Sequence, residues 1–335
     1  MIREMKQKTG LSYTKLLLLI SLGFYAFTLT LTLILSRFLG PYFSCGESYY
    51  SDFHRLSGQV TLGAIISSSL FYLAHQIAVW VIMIKAWKSK NKLDGKIKFN
   101  IIALAINVLF VFAHFFQTAV WRDSISSFVP LWVVHAGLFI SLILFIYLQL
   151  NQRGLFLGIK IHSGGKLFFF MEKFHMIFFP WIIVFAFWFH PMEGNWILIS
   201  VFLLLFLLFI QMGMVNTELH VNRYWLALLE VFIAAHLIII ISQLKKDVWP
   251  VFLFGFLIVF IFTQLHAVKM KMWLRITIVS AAVILAAAIY GRLRGFSRLY
   301  EILYIPASIY GGTLFLHFLG QLIDRFLGAC SKRKF

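Results

Sequence analysis

Acid is scarce in this chain: twelve Asp and Glu stand against thirty Lys and Arg in 335 residues. That scarcity argues against sites built from several carboxylates. A di-iron carboxylate bundle needs two Glu-x-x-His motifs and further Glu, and only Glu172-x-x-His175 is present. Cysteine is nearly absent too. Cys45 and Cys330 lie far apart and form neither a disulfide framework nor a CxxC site. The chain has no Gly-rich phosphate loop, no GxSxG nucleophile elbow, no HExxH and no clustered His boxes of the membrane-desaturase kind. Repeats, linkers and low-complexity segments are missing, and no stretch leaves room for a separate soluble domain.

What is abundant is apolar. The composition is 61% hydrophobic with a mean hydropathy of +0.89, and includes thirty-eight Phe and ten Trp. This is an all-α polytopic membrane composition, with aromatic residues suited to lipid-facing surfaces and interfacial belts. At about 20 apolar residues per span, the runs predict about ten transmembrane helices in one integral membrane domain covering 1–335. They fall at roughly 13–39, 56–86, 99–121, 129–150, 167–190, 196–215, 221–243, 249–270, 273–291 and 301–324. The first run reads as a retained signal anchor. The second, counted from Leu56 to Trp87, is long enough to need tilt or projection beyond the bilayer. Pro180 is expected to kink the fifth.

The net charge of +18 in a soluble protein would point to nucleic acid. Here the basic residues fall mostly in short loops, so they report topology and no nucleic-acid partner is expected. The N-terminus, 88–98, the stretch with Arg153, Lys160 and Lys166, and the C-terminus are basic. The loops at 40–55, 122–128 and 191–195 are nearly neutral. Both termini are therefore expected on the cytoplasmic side. Arg292, Arg294 and Arg298 disagree, since they fall in a loop placed outside.

Eight of the eleven histidines sit in or at the edge of apolar runs: His75, His114, His135, His175, His190, His236, His266 and His317. An ionisable group inside a membrane is a functional-site hypothesis by default. Rise per residue sorts six of them by depth, with His114, His135 and His236 towards the outer face and His75, His175 and His317 towards the inner. Two bis-His haems, one near each face, would use such an arrangement. The expected pairs are His114 with His135 and His75 with His175, with His236 and His317 in reserve. The competing reading is structural. A transmembrane His also serves to bond a carbonyl or hydroxyl on a neighbouring helix, and His190 and His266 are placed to face headgroups.

Two patches resemble a known family. Gly46-Glu-Ser-Tyr-Tyr-Ser-Asp-Phe-His-Arg-Leu-Ser-Gly58 leads to His75, and Met171-Glu-Lys-Phe-His175 leads to His190. A His-Arg-x-x-Gly entry followed by an intrahelical His resembles the ferric-reductase-like transmembrane domain of b-type cytochromes, over roughly residues 30–195. The paired His are set further apart than that family sets them. The resemblance implies haem b, one or two per chain, held by axial His. Separately, Ser51-x-x-His54-Arg55-x-Ser57-Gly58 is similar to the quinone-site stretch of the succinate dehydrogenase cytochrome subunit, where Ser and Arg polarise a quinone carbonyl.

Arg55, Arg122 and Arg223 lie at expected helix ends, where they would hold haem propionates or phosphates, or snorkel to the interface. Glu230 falls inside the seventh run and would relay protons, bind a cation or stay protonated against a neighbour. The leading expectation is a b-type cytochrome passing electrons across the membrane, as an oxidoreductase subunit linked to quinone and other redox subunits. A proton-coupled permease using Glu230 and His236 is the alternative from another class. A membrane lipid or glycan transferase is the third.

Overall fold

A computed structural model describes residues 13–38, 60–88, 93–121, 124–192, 194, 196–215, 217–244 and 247–332. Ten helices are present among them, and no strand. They are α1 (Tyr13–Phe38), α2 (Leu62–Lys88), α3 (Leu93–Trp121), α4 (Leu131–Arg153), α5 (Gly165–Phe189), α6 (Trp196–Gly213), α7 (Arg223–Leu244), α8 (Trp249–Val259), α9 (Met272–Ile289) and α10 (Tyr304–Lys332). A π-turn at Phe260–Gln264 carries α8 on to Leu265–Ala267, and another at Tyr290–Arg294 extends α9. An isolated β-bridge joins Phe156 and Ile159.

Eight of the helices have the length and apolarity to cross a membrane, while α6 and α8 are apolar but shorter. Their surfaces suit hydrocarbon. Leu70, Leu109, Ile284 and Phe315 are each more than 60% exposed, and none of α9 between Met272 and Ile289 is buried. An apolar helix with so much exposed apolar surface matches lipid as its surroundings.

The second helix starts later than the hydropathy of its run indicates. Thr61 is its N-cap, with Oγ1 accepting from the Ala64 N–H at 3.1 Å. That satisfies a donor the first turn leaves orphaned, so α2 spans roughly 40 Å from Leu62. Residues 56–59 lie outside the described residues. In α5, Pro180 has no N–H for the Met176 carbonyl. One residue on, the Ile177 carbonyl accepts from the Trp80 indole at 2.9 Å. Neighbouring helices supply such bonds where a proline interrupts a ladder away from water.

The chain resolves into two compact units. The first comprises Met1–Gly137 and Met176–Leu229, the second Leu138–His175 and Glu230–Phe335. In the first, α3 packs along α2 and also against α6, which in turn contacts α1. The core is aromatic: Phe187, Trp188, Phe202, Phe206 and Phe209 are all buried. In the second, α10 packs on α8, and Gly312 is the close contact with α4. A Cβ there would come within 2.7 Å of Ile143 Cδ1. Gly165 opens α5 at φ +84°, where a Cβ would collide with the Asp324 carboxylate. With glycine in place, Asp324 Oδ1 accepts from the Lys166 N–H at 3.0 Å.

Arg294, in the discordant basic loop, is paired. Its guanidinium is buried and lies 2.6 Å from Glu301, and it also bonds the Asp247 carbonyl. One of the three charges that disagree with the expected topology is thus neutralised within its own unit, while Arg292 and Arg298 are exposed.

Candidate functional site

Three polar features occupy the interiors of the two units. The first runs along one face of α3. Asn100, Asn107, His114 and Thr118 are all buried, and the first three recur every seven residues, two helical turns apart. Asn100, His114 and Thr118 work on backbone that a neighbouring helix end leaves unpaired, while Asn107 bonds the His75 side chain. Asn100 Nδ2 donates to the Gly213 carbonyl and, at 3.1 Å, to the Val215 carbonyl, closing the C-terminus of α6. His114 Nε2 donates to the His190 carbonyl at 2.8 Å, and Thr118 Oγ1 accepts from the Met192 N–H at 3.1 Å, closing the end of α5. Ser124 Oγ adds a bond to the Phe189 carbonyl at 2.6 Å.

His75 sits between α3 and α5 with both ring nitrogens engaged. Its Nε2 donates to Asn107 Oδ1 at 3.1 Å, and its Nδ1 accepts from Trp188 Nε1 at 3.1 Å. The ring stacks on Phe110 at 4.3 Å between centroids, and His114 meets the other side of the cluster at Trp188, 4.4 Å away.

The second feature lies in the other unit. Arg153, the last residue of α4, bonds Glu230 of α7 at 2.6 Å, with side chains only 4% and 10% exposed. Its Nε and Nη2 are buried and have no hydrogen-bond partner. The chain after Arg153 folds back into the unit. Leu155 is fully buried, Leu157 (φ +49°) donates its N–H to Phe262 O at 2.8 Å, and Phe156 packs on Tyr310. Phe262 belongs to the π-turn of α8, which also buries Thr263 and Gln264. Non-helical backbone and π-turns within apolar bundles concentrate where a cavity or function requires them.

The third feature is His317 in α10. Its Nδ1 lies 2.7 Å from Ser163 Oγ and its Nε2 3.0 Å from the Gln321 amide. Ser163 is itself held by Asn151, whose Oδ1 accepts from its N–H at 2.7 Å and whose Nδ2 donates to its carbonyl at 2.6 Å.

No family model, characterised protein or solved structure matches this chain. The reading of the site therefore rests on its geometry.

The expected residues divide accordingly. His75 and His317 have no ring nitrogen to give an iron without losing a hydrogen bond, so as placed they do not fit the axial-ligand role. His114 keeps Nδ1 unpartnered inside its buried pocket. His175 turns its Nδ1 to the Glu172 carbonyl of its own helix, so Glu172-x-x-His175 forms a local contact. His236 is buried in α7, and His135 is half-buried in α4. His190 is buried at the end of α5 and does not face headgroups. His266 packs near Gly158. Arg223 is exposed at the start of α7 and lies over the Tyr224 ring. Arg55, Arg122 and the whole Ser51–Gly58 stretch lie outside the described residues. Among those described, no group of three or more His, Cys, Asp and Glu is placed to hold a metal ion.

Outside the helices, His220 bonds the Gln211 carbonyl through Nδ1 at 3.0 Å, and Gln211 in turn accepts from the Trp225 indole at 2.8 Å. Burial pushes the His220 pKa below its ordinary value, so this connection between α6 and α7 keeps a neutral imidazole near neutral pH.

Sequence reasoning missed Arg153, Gln264 and the Asn100–Asn107–His114 face. The last had a legible signal: polar residues at seven-residue spacing inside an apolar run place one stripe down a helix. Arg153 carried none, because an Arg at the end of a span reads as a topology marker until its partner is known.

Proposed function

We propose that this chain is a multi-pass membrane permease with ten spans and both termini on the cytoplasmic side, coupling protons to the movement of a small anion. The observation that carries the reading is the Arg153–Glu230 pair. An ion pair so little exposed in an apolar bundle is costly to keep, and such groups mark substrate and proton pathways. Glu230 and an anionic substrate compete for one guanidinium. Protonating Glu230 removes its charge and frees Arg153, while Nε and Nη2 already face no partner and offer the planar fork that suits a carboxylate or phosphate. Release of the anion lets Glu230 ionise and re-form the pair, so proton and anion move together. The ten-span topology draws support from α6 and α8 as apolar helices and from the neutralised Arg294.

The test is uptake of labelled acetate, lactate, succinate and phosphate into proteoliposomes under an inward proton gradient. Saturable uptake of at least one is expected, abolished by an uncoupler and by Glu230→Gln. Uptake that persists unchanged in Glu230→Gln, or is absent for all four, speaks against the reading.

A second reading, electron transfer by haem b, is favoured by one observation: the unpartnered Nδ1 of His114 in a fully buried aromatic pocket. A reduced-minus-oxidised spectrum of protein expressed with haem supplied decides it. A b-type spectrum lost in His114→Leu upholds the haem reading, and a colourless protein removes it.

A further inference from the structure

Arg153 already holds a short carboxylate, that of Glu230. The Glu230 side chain is a carboxyl on two methylenes, and one of its oxygens meets Arg153 Nη1 at 2.6 Å. Another edge of the guanidinium, Nε and Nη2, is buried with no hydrogen-bond partner. Two N–H donors side by side match the two oxygens of a carboxylate. Donors left unpaired in an apolar interior cost the desolvation of each group, and an anion seated on that edge removes the penalty.

Charge decides which anions fit. The second unit buries two ion pairs, Arg153–Glu230 and Arg294–Glu301, and each is neutral. The charges that act on Tyr310 of α10 are those of Arg153 and Glu230. Protonating Glu230 therefore leaves one positive charge to be answered. A monoanion restores neutrality. A dianion leaves a net negative charge in an apolar bundle, where an uncompensated charge is strongly disfavoured. Geometry narrows the class further. Two free donors pair both oxygens of a carboxylate but only two of the four oxygens of a phosphate, whose others would stay unpaired. The surroundings are aromatic: the Phe145 ring centre lies 5.5 Å from Arg153 Cζ, and Phe156 packs on Tyr310. Such walls suit an apolar tail and supply no second cation.

We propose that the transported anion is a small monocarboxylate with a short apolar tail, carried one-to-one with a proton and without net movement of charge. The inference rests on the reading of Arg153–Glu230 as the transport site. As the anion seats on Nε and Nη2, a proton forms an O–H bond with the Glu230 carboxylate. On release to the other side that bond breaks, the proton leaves, and Glu230 pairs with Arg153 again. One negative and one positive charge cross together, so the membrane potential does no work on the cycle.

Initial rates of labelled propionate, lactate, succinate and phosphate uptake into proteoliposomes under an inward proton gradient test it. Vesicles holding the Arg153→Met/Glu230→Leu variant are the blank for passive entry of free acid. The faster of propionate and lactate is expected to enter at least tenfold faster than succinate or phosphate at equal concentration. Imposing a valinomycin potassium potential of either sign is expected to change that rate less than twofold. Arg153→Lys, which keeps the charge and loses the fork, is expected to raise the KM at least tenfold. Succinate or phosphate entering as fast as the monocarboxylates, a rate that follows the potential, or an unchanged KM in Arg153→Lys would each overturn the inference. The transport reading survives those results wherever Glu230→Gln still abolishes uptake. No anion entering above the blank, or uptake that persists in Glu230→Gln, removes the transport reading and the inference with it.

Discussion

Arg153→Met is expected to destabilise the protein by about 3–5 kcal/mol, because it leaves the Glu230 carboxylate buried without its partner. Glu230→Leu carries the mirror penalty, stranding a guanidinium whose side chain is 4% exposed. The double variant Arg153→Met/Glu230→Leu is the informative one. Removing both charges and filling the space with apolar side chains is often neutral or stabilising by about 1–4 kcal/mol. Unfolding in detergent should therefore rank the double variant near or above wild type and both single variants far below. Transport is expected to vanish in all three, which separates the pair's role in function from its role in stability. Single variants that unfold like wild type would mean that water reaches the pair and screens it.

Trp188→Ala is expected to cost about 3–5 kcal/mol, the range for emptying a fully buried aromatic site. Trp188 is buried to 0% exposure and touches both central histidines: its indole N–H bonds His75 Nδ1 and its ring packs on His114. Trp188→Phe keeps most of the packing and removes only the donor. Its expected cost of about 1–3 kcal/mol is that of leaving the His75 acceptor unpaired. The gap between the two variants, measured by chemical unfolding, isolates packing from hydrogen bonding at the centre of the first unit. Equal losses would place the whole effect in the hydrogen bond, and a Phe variant as stable as wild type would place it in the packing.

Much of the architecture was legible before any coordinates. Helix positions followed from apolar run length, because a chain whose backbone polar groups must be satisfied away from water has few choices besides helix. The ten runs correspond to the ten helices to within about six residues, except that α10 runs eight residues further and α8 ends at Val259, short of the expected 270. At the start of α2 the departure came from a capping side chain: Thr61 sets the first turn, and hydropathy does not register it. His75 and His114 were legible as buried functional candidates. Their partners were not legible. His114 bonds a carbonyl seventy-six positions away and His75 an indole one hundred and thirteen away, and nothing local in either segment names the other.

By itself, the sequence determined that this is an all-helical, strongly apolar chain with ionisable groups set deep in apolar helices. Composition and periodicity are local properties, and the energetics of burying a peptide group away from water act on every segment alike. Only the tertiary structure decided what those groups do. It turned the histidines towards helix ends and an indole, brought Arg153 from a helix end onto Glu230, and set the polar face of α3 against the ends of α5 and α6. Those outcomes depend on which helices meet and at what rotation. Packing of many side chains at once settles that, and a spacing along one segment carries no record of it.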